Sequence, residues 1–475
     1  MKEKTVFKRK IEDRLLSWKS DPHRRPLIVD GLRQVGKSFI VEKFARENYE
    51  SVITFDFRHV KELRAIFEGN LGVDDILVKA GPYFPRERFV PGKTVLIFEE
   101  IGDCPLARTS LKSFAMDGRF DVIGTGSLLG VLHYRRENKA DIPTGYETIL
   151  HMKPMDCEEF LWANGLEEKH ISELRKSARS LEPLPVALAE YYKQMLKRYA
   201  VIGGMPDAVR AFLATGNFVE SRKVLEGLLR DYRADFGRYV DERNEERIDP
   251  SLQAALTKVF DSIPAQLARE SVTRKFKFAE VKKGGRASEF EGTFEWLKKA
   301  GLVLQCYNVK ALEEPLTANR EENFFKSFLA DPGLLMALYP IANTQEFLAD
   351  ELGNRKGAIF ESLGACMIDQ AGFPLYYSSD PANHREIDFL LETKEGIVLV
   401  EEKSTNGKMA SSKAVMEGKT PYRAARCIKV VRENFGKGEF FDVVPQYALP
   451  FLLEDYAKEL DEGFALPPLA YPELP

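Results

Sequence analysis

The chain is 475 residues long, 44% hydrophobic and 30% charged, with a net charge of −4. That length accommodates roughly three or four domains of about 150 residues, and that balance excludes a chain too polar to fold. The near-neutral charge excludes a globally basic binder, so any nucleic-acid contact must come from a local patch.

Residues 1–150 alternate short apolar segments with helical ones, an α/β pattern, with strands expected at 27–30, 52–57, 94–98 and 121–124. After the first strand stands GLRQVGKS at 31–38, which satisfies GxxxxGK[ST] at every position and is followed by helical FIVEKFAREN. Strand, glycine loop and helix in that order build a phosphate cradle. Gly31 and Gly36 let the loop turn its backbone N–H groups inward, and the helix N-terminus adds partial positive charge. The expected nucleotide-binding set is Gly31, Leu32, Arg33, Gln34, Val35, Gly36, Lys37, Ser38 and Phe39. The ligands expected there are ATP and Mg²⁺, with Lys37 on the β- and γ-phosphates and the Ser38 hydroxyl on the metal.

KTVLIFEE at 93–100 is an apolar strand ending in two carboxylates. Glu99 is expected to hold Mg²⁺ and Glu100 to orient the attacking water; the first position is usually Asp, so Glu99 is a departure. DVIGTGSLLG at 121–130 ends in small hydroxyl residues, making Thr125 and Ser127 candidate γ-phosphate sensors. Ser127 also suits a helix cap. Arg135 and Arg136 follow, where an arginine finger reaching a neighbouring subunit or a solvated surface both fit.

Residues 151–248 read as a helical lid, with helix-like apolar spacing in EEFLWANG and over 186–199. The charged run DERNEER at 241–247 and Asp-Pro at 249–250 mark a boundary. Residues 249–345 contain a basic stretch at 271–287, carrying Arg274, Lys275, Lys277, Lys282, Lys283 and Arg286, followed by Ser288–Glu291 with capping-box spacing. The helix opened there places Phe290, Phe294 and Leu297 on one core-facing stripe, Gly301 stops it, and LVLQCYNV continues as a strand. Helix, basic turn, helix and hairpin resemble a winged helix, a DNA reader or a protein-contact module.

Residues 346–475 return to mixed α/β: a helix GAIFESLGACMI, strands PLYYS, REIDFLLE, GIVLVEEK and CIKVV, a helical stretch at 408–417, and a Pro-rich tail. Four residues match the PD-(D/E)xK nuclease pattern. Glu401 and Lys403, two apart, share one face of a strand. Asp388 and Glu401 are expected to hold Mg²⁺, Lys403 to stabilise transition-state charge, and Glu361 to position the metal shell. His384 and Arg385 precede Asp388 in what reads as a solvated loop.

GLRQVGKS, LIFEEIGDCP, TGSLLG, MKPMDCEEFLWANG, YAVIGGMPDAV and the C-terminal pattern together resemble a prokaryotic family of AAA-type P-loop ATPases carrying a C-terminal restriction-endonuclease-like domain. The resemblance covers nearly the whole chain. It implies an AAA-like domain over 1–150, a helical lid over 151–248, a winged-helix-like domain over 249–345 and a nuclease-like domain over 346–475. By analogy with lids of this type, Met205 and Pro206 lie beside the adenine.

The expected function is an ATP-driven machine acting on nucleic acid, DNA above all; the alternatives are a nucleotide switch or a protein-remodelling ATPase whose C-terminal domain binds a partner. A homo-oligomer is compatible with all three. Five dispersed cysteines without CxxC spacing suit a reducing cytoplasm rather than a disulfide or zinc framework. The basic N-terminus lacks the apolar core of a secretory signal, and no apolar run reaches the ~18 residues of a membrane span.

Overall fold

The computed structural model describes residues 6–127, 145–240, 246–269, 275–380, 385–403 and 409–461. The first sheet contains β1 (Leu27–Gly31), β2 (Ser51–Asp56), β3 (Thr94–Glu99), β4 (Asp121–Ser127) and β5 (Thr148–Met152). All pairs are parallel, in the order β2-β3-β4-β1-β5. Every residue of β1 is buried, as are the first five of β3, the near-continuous apolar pattern of strands covered on both faces. Alternation then sorts the side chains. Leu27, Val29, Val95 and Ile97 pack with the helices Ile11–Ser20 and Lys37–Asn48. Ile28, Leu96 and Phe98 pack on the other face with Val73–Ala80 and Pro105–Asp117. The four strands expected from the sequence are present; β5 lies across the expected boundary at 150.

The helical region that follows comprises Cys157–Ala163, Glu168–Ser180, Val186–Ile202, Pro206–Thr215 and Phe218–Asp235. Asp156 opens the first with a capping box to Glu159. A short antiparallel hairpin of β6 (Arg238–Val240) and β7 (Glu246–Ile248) flanks the charged run. Asp249 caps the next helix, Pro250–Leu267, through the N–H groups of Ser251 and Leu252.

The middle region continues with helices Phe278–Val281 and Ala287–Lys299. Phe290, Phe294 and Leu297 are buried as the stripe required. Ser288 is not the N-cap that its spacing suggested: the helix begins at Ala287, with Arg286 at its N-cap. Strands β8 (Val303–Val309) and β9 (Arg320–Leu329) pair antiparallel, but they are not a free wing. β8 also pairs in parallel with β10 (Tyr376–Asp380).

The second sheet therefore runs through the expected boundary at 345. It adds β11 (Arg385–Thr393), β12 (Gly396–Glu402), β13 (Arg426–Val431), β14 (Gly436–Lys437) and β15 (Asp442–Pro445), in the order β14-β15-β13-β12-β11-β10-β8-β9. Helices Lys356–Gln370 and Leu449–Asp461 cover one face, and Ala410–Met416 the other. Between the pairs Tyr376–Leu390 and Ser378–Ile387, two residues advance on β10 against three on β11. That bulge separates Ile387 from Phe389 into cores on opposite faces.

One continuous core joins the P-loop region, the helical region after it and the second sheet. Polar ties reinforce it: Lys10 meets Asp156 and Glu158, each at 2.7 Å, and also Glu454 of the C-terminal helix, while Arg175 reaches the same Glu454 at 2.6 Å.

Candidate functional site

Parallel strands carry their C-terminal ends to one edge of a sheet, where α/β folds bind ligands. Gly31, Glu99 and Ser127 end β1, β3 and β4 at that edge. Gly31 has φ +150°, and a Cβ there would stand 2.2 Å from the Met152 carbonyl oxygen, so only glycine lets the loop leave the sheet. Gly36, at φ +101°, caps the helix that begins with Lys37, so the helix N-terminus opens inside the loop.

Lys37 is 7% exposed. Its ammonium donates to the carbonyls of Gly31 at 3.0 Å and Leu32 at 2.7 Å, and makes no ion pair among the described residues. Burial pushes its pKa down to about 8, against the pull of Glu100 and Asp30. A buried cation held by carbonyls inside a ring of amides is matched to an anion. Ser38 is exposed at the loop, and Glu99 is half-buried at the strand end; an oxygen set of hydroxyl and carboxylate fits a hard cation such as Mg²⁺.

Glu100 stands at φ +51°, and its N–H donates to the buried Thr125 hydroxyl at 3.3 Å. Thr125 thus holds the backbone of the expected water-orienting residue, while Ser127 sits beside the P-loop in register with Gly31. Arg58, which the sequence reading missed, follows β2 and pairs with Glu100 at 3.3 Å and Asp103 at 3.1 Å. His151 on β5 pairs with the buried Asp30 on β1, and that hydrogen bond holds the imidazole above its ordinary pKa. Arg135 and Arg136 lie outside the described residues.

The outside of the loop is gripped from two sides. Arg9 donates to the Val35 carbonyl at 3.2 Å and pairs with Glu159 at 3.1 Å. From the helix Phe218–Asp235, Asp231 accepts from Gln34 at 3.2 Å, the Tyr232 hydroxyl donates to the Arg33 carbonyl at 3.1 Å, and Asp235 pairs with Arg33. Phe39 is exposed one turn into the helix.

The C-terminal residues assemble differently from the expectation. One carboxylate oxygen from each of Glu361, Glu386 and Asp388 lies within 4.8 Å of the others. Glu386, unnoticed in the sequence, is turned toward the Glu361 helix by the bulge in β11. Glu401 is not in that group: it faces the other covering helix, where the Ser412 hydroxyl donates to it at 2.5 Å. Lys403 joins the two expected metal ligands, at 2.6 Å from Glu401 and 3.3 Å from Asp388. Burial opposes its charge, but these carboxylates prevail and hold the ammonium above its ordinary pKa. A further lysine, Lys326 on β9, is fully buried between Glu361 at 2.6 Å and Glu386. The residues therefore do not fit the Mg²⁺ pair expected at Asp388 and Glu401. Each carboxylate pair is already closed by a lysine. His384 lies outside the described residues, and only the backbone of Arg385 is described, at the start of β11.

Residues 23–161 match the family model described as an AAA domain. This segment matches an AAA domain and carries the P-loop. Residues 193–345 match a second family, a domain of unknown function designated DUF8612. No curated protein matches the chain. Among solved structures, a Walker-type ATPase of Pyrococcus abyssi aligns at 14% identity and TM-score 0.40, over 70% of this chain and 96% of its own. The ORC2 protein of Aeropyrum pernix, in ADPNP–ADP complexes, aligns at 13% and 0.33, over 72% and 91%. ORC1 of the same organism, in complex with DNA, aligns at 12% and 0.25, over 73% and 94%. Scores this low carry no argument for this chain.

The AAA domain meets the DUF8612 segment at the GGMP motif. Pro206 is 3.8 Å from where a Cβ on Gly36 would stand, which places it against the P-loop; Met205 is fully buried beneath it. Gly204 donates its N–H to the buried Asp331 at 2.6 Å, and Leu334 donates to the same carboxylate at 3.0 Å. Burial raises Asp331 to about 6 against these backbone bonds. A Cβ on Gly203 would strike Asp331 at 2.2 Å, and one on Gly204 would strike the Met155 carbonyl at 2.0 Å. The glycines of the motif permit a close backbone crossing that ties the helices around it to the end of β9. Among the described residues no helix is long and apolar enough to cross a membrane.

Proposed function

We propose that this chain binds and hydrolyses ATP in its AAA domain and passes the nucleotide state to the C-terminal α/β module, with nucleic acid as the partner. The observation that carries the reading is the buried Lys37 ammonium, held by loop carbonyls near Glu100, whose backbone Thr125 holds. The Lys37 ammonium exchanges the Gly31 and Leu32 carbonyls for phosphate oxygens, and Glu100 accepts a hydrogen bond from the attacking water. Ser38 and Glu99 would hold Mg²⁺, which supplies neutralisation of the β- and γ-phosphate charge.

Arg33 and Gln34 are bonded to the lid helix and Pro206 abuts Gly36, so a change in loop shape on nucleotide binding strains lid contacts. Gly204 and Asp331 connect that lid to β9 and hence to the second sheet. Nucleic acid is favoured as partner by the PD-(D/E)xK residue set and by the local basic stretch, where Lys275 lies 2.8 Å from the Phe324 ring centre.

The test is ATP turnover by wild type and Lys37→Ala, with and without DNA. Turnover that DNA stimulates and Lys37→Ala abolishes is expected. Turnover indifferent to single- and double-stranded DNA and to RNA would favour the nucleotide-switch or protein-remodelling alternative. Turnover surviving in Lys37→Ala would remove the reading altogether.

A further inference from the structure

We infer that the Lys326 ammonium takes the place of a divalent cation in the C-terminal cluster of Glu361, Glu386 and Asp388, so that the module binds its partner without a resident metal there and does not cut it. Grouping carboxylates of Glu361, Glu386 and Asp388 within 4.8 Å of one another costs heavily in a buried place unless a cation balances them. The fold supplies that cation from its own chain. Lys326 has no exposed surface, and Glu361 retains 2% of its own. The ammonium contacts one carboxylate oxygen of Glu361 and one of Glu386, and lies 4.7 Å from the centre of the Tyr377 ring. Asp388 is engaged on its other side by the Glu402 N–H at 2.9 Å and by Lys403. A metal arriving at this cluster meets like charge from Lys403 and has to displace the buried Lys326 ammonium from Glu361 and Glu386.

The hairpin that brings Lys326 is the one that extends the second sheet across position 345. β9 ends beside Asp331, so Lys326 also lies on the element tied to the lid. The inference concerns metal occupancy and does not depend on ATP hydrolysis. Testing without nucleotide keeps the two readings apart.

The experiment is Mn²⁺ binding to the full chain, followed by the loss of the free-ion EPR signal with no nucleotide present. Wild type is expected to show no saturable Mn²⁺ site at this cluster, whereas Lys326→Met gains one that Lys326→Met/Asp388→Asn lacks. Circular dichroism checks that each variant folds. If Lys326→Met is too unstable to study alone, Mn²⁺ is expected to raise its melting temperature and to leave that of wild type unchanged. A saturable Mn²⁺ site in wild type that Glu361→Gln or Asp388→Asn removes would overturn the inference. So would metal-dependent cleavage of DNA or RNA by wild type that Asp388→Asn abolishes, or a Lys326→Met protein that folds and binds no more Mn²⁺ than wild type.

Discussion

The Tyr232 hydroxyl donates to the carbonyl of Arg33 at 3.1 Å, so a residue of the lid helix Phe218–Asp235 holds the backbone of the P-loop itself. One hydrogen bond of this kind is worth about 1 kcal/mol net, or roughly fivefold in an equilibrium. Tyr232→Phe keeps the buried ring and removes only the donor. It is expected to weaken ATP binding by up to about fivefold with little change in melting temperature. Calorimetric titration with a non-hydrolysable ATP analogue checks this; unchanged affinity would show that the lid does not shape the loop.

Lys37 carries a pKa lowered to about 8 by burial. Phosphate oxygens around the ammonium favour its charged form and raise that value. Nucleotide binding above pH 8 is therefore expected to take up a proton, and binding at pH 7 to take up none through Lys37. Binding enthalpies measured at pH 9 in buffers of different ionisation enthalpy should diverge, and the divergence should vanish in Lys37→Met. Without ligand the sign follows from the depressed folded pKa: the unfolded chain binds more protons between about pH 8 and the ordinary lysine value of about 10.4, so Lys37 makes stability rise with pH across that window.

Glu100 is placed by the bond from its own N–H to Thr125, so Glu100→Gln preserves the backbone and removes the charge that orients water. A loss of turnover of about 100-fold or more is expected, with nucleotide still bound. Retention of labelled ATP on a filter, beside a phosphate-release assay, distinguishes this outcome from loss of binding. Full turnover in the variant would move the catalytic carboxylate elsewhere, with Glu99 the next residue to test.

Two glycines in helical surroundings should respond oppositely to the same substitution. A Cβ on Gly204 would lie 2.0 Å from the Met155 carbonyl oxygen, whereas one on Gly227 meets only the end of Arg230 at 3.8 Å. Gly204→Ala forces the lid away from Asp331 and is expected to lower the melting temperature sharply. Gly227→Ala lies inside a helix and should stabilise by up to about 1 kcal/mol. Thermal melts of both variants check the pair; equal effects would mean that the backbone crossing at Gly204 is not tight.

Local periodicity and turn chemistry made much of this protein legible in one dimension. Strands β1 to β4, the glycine loop and the carboxylates after β3 all depend on neighbours within about ten residues. Alternation of apolar side chains and a loop of fixed spacing announce them without knowledge of the rest. The stripe of Phe290, Phe294 and Leu297 was equally readable and is buried. The Ser288 box was misread because a side-chain cap competes with the helix simply starting earlier, which local spacing does not decide.

What the sequence determined by itself is the phosphate cradle, because its parts are contiguous and the backbone carries the chemistry. Only the tertiary structure decided the partners. Lys326 meets Glu361 across 35 residues, Asp331 meets Gly204 across 127, and Tyr232 meets Arg33 across 199. The bulge in β11, which turns Glu386 toward the helix, is a register shift against β10. Register is set by which strands pair and how they pack, so charges separated along the chain become a cluster only when the sheet is assembled.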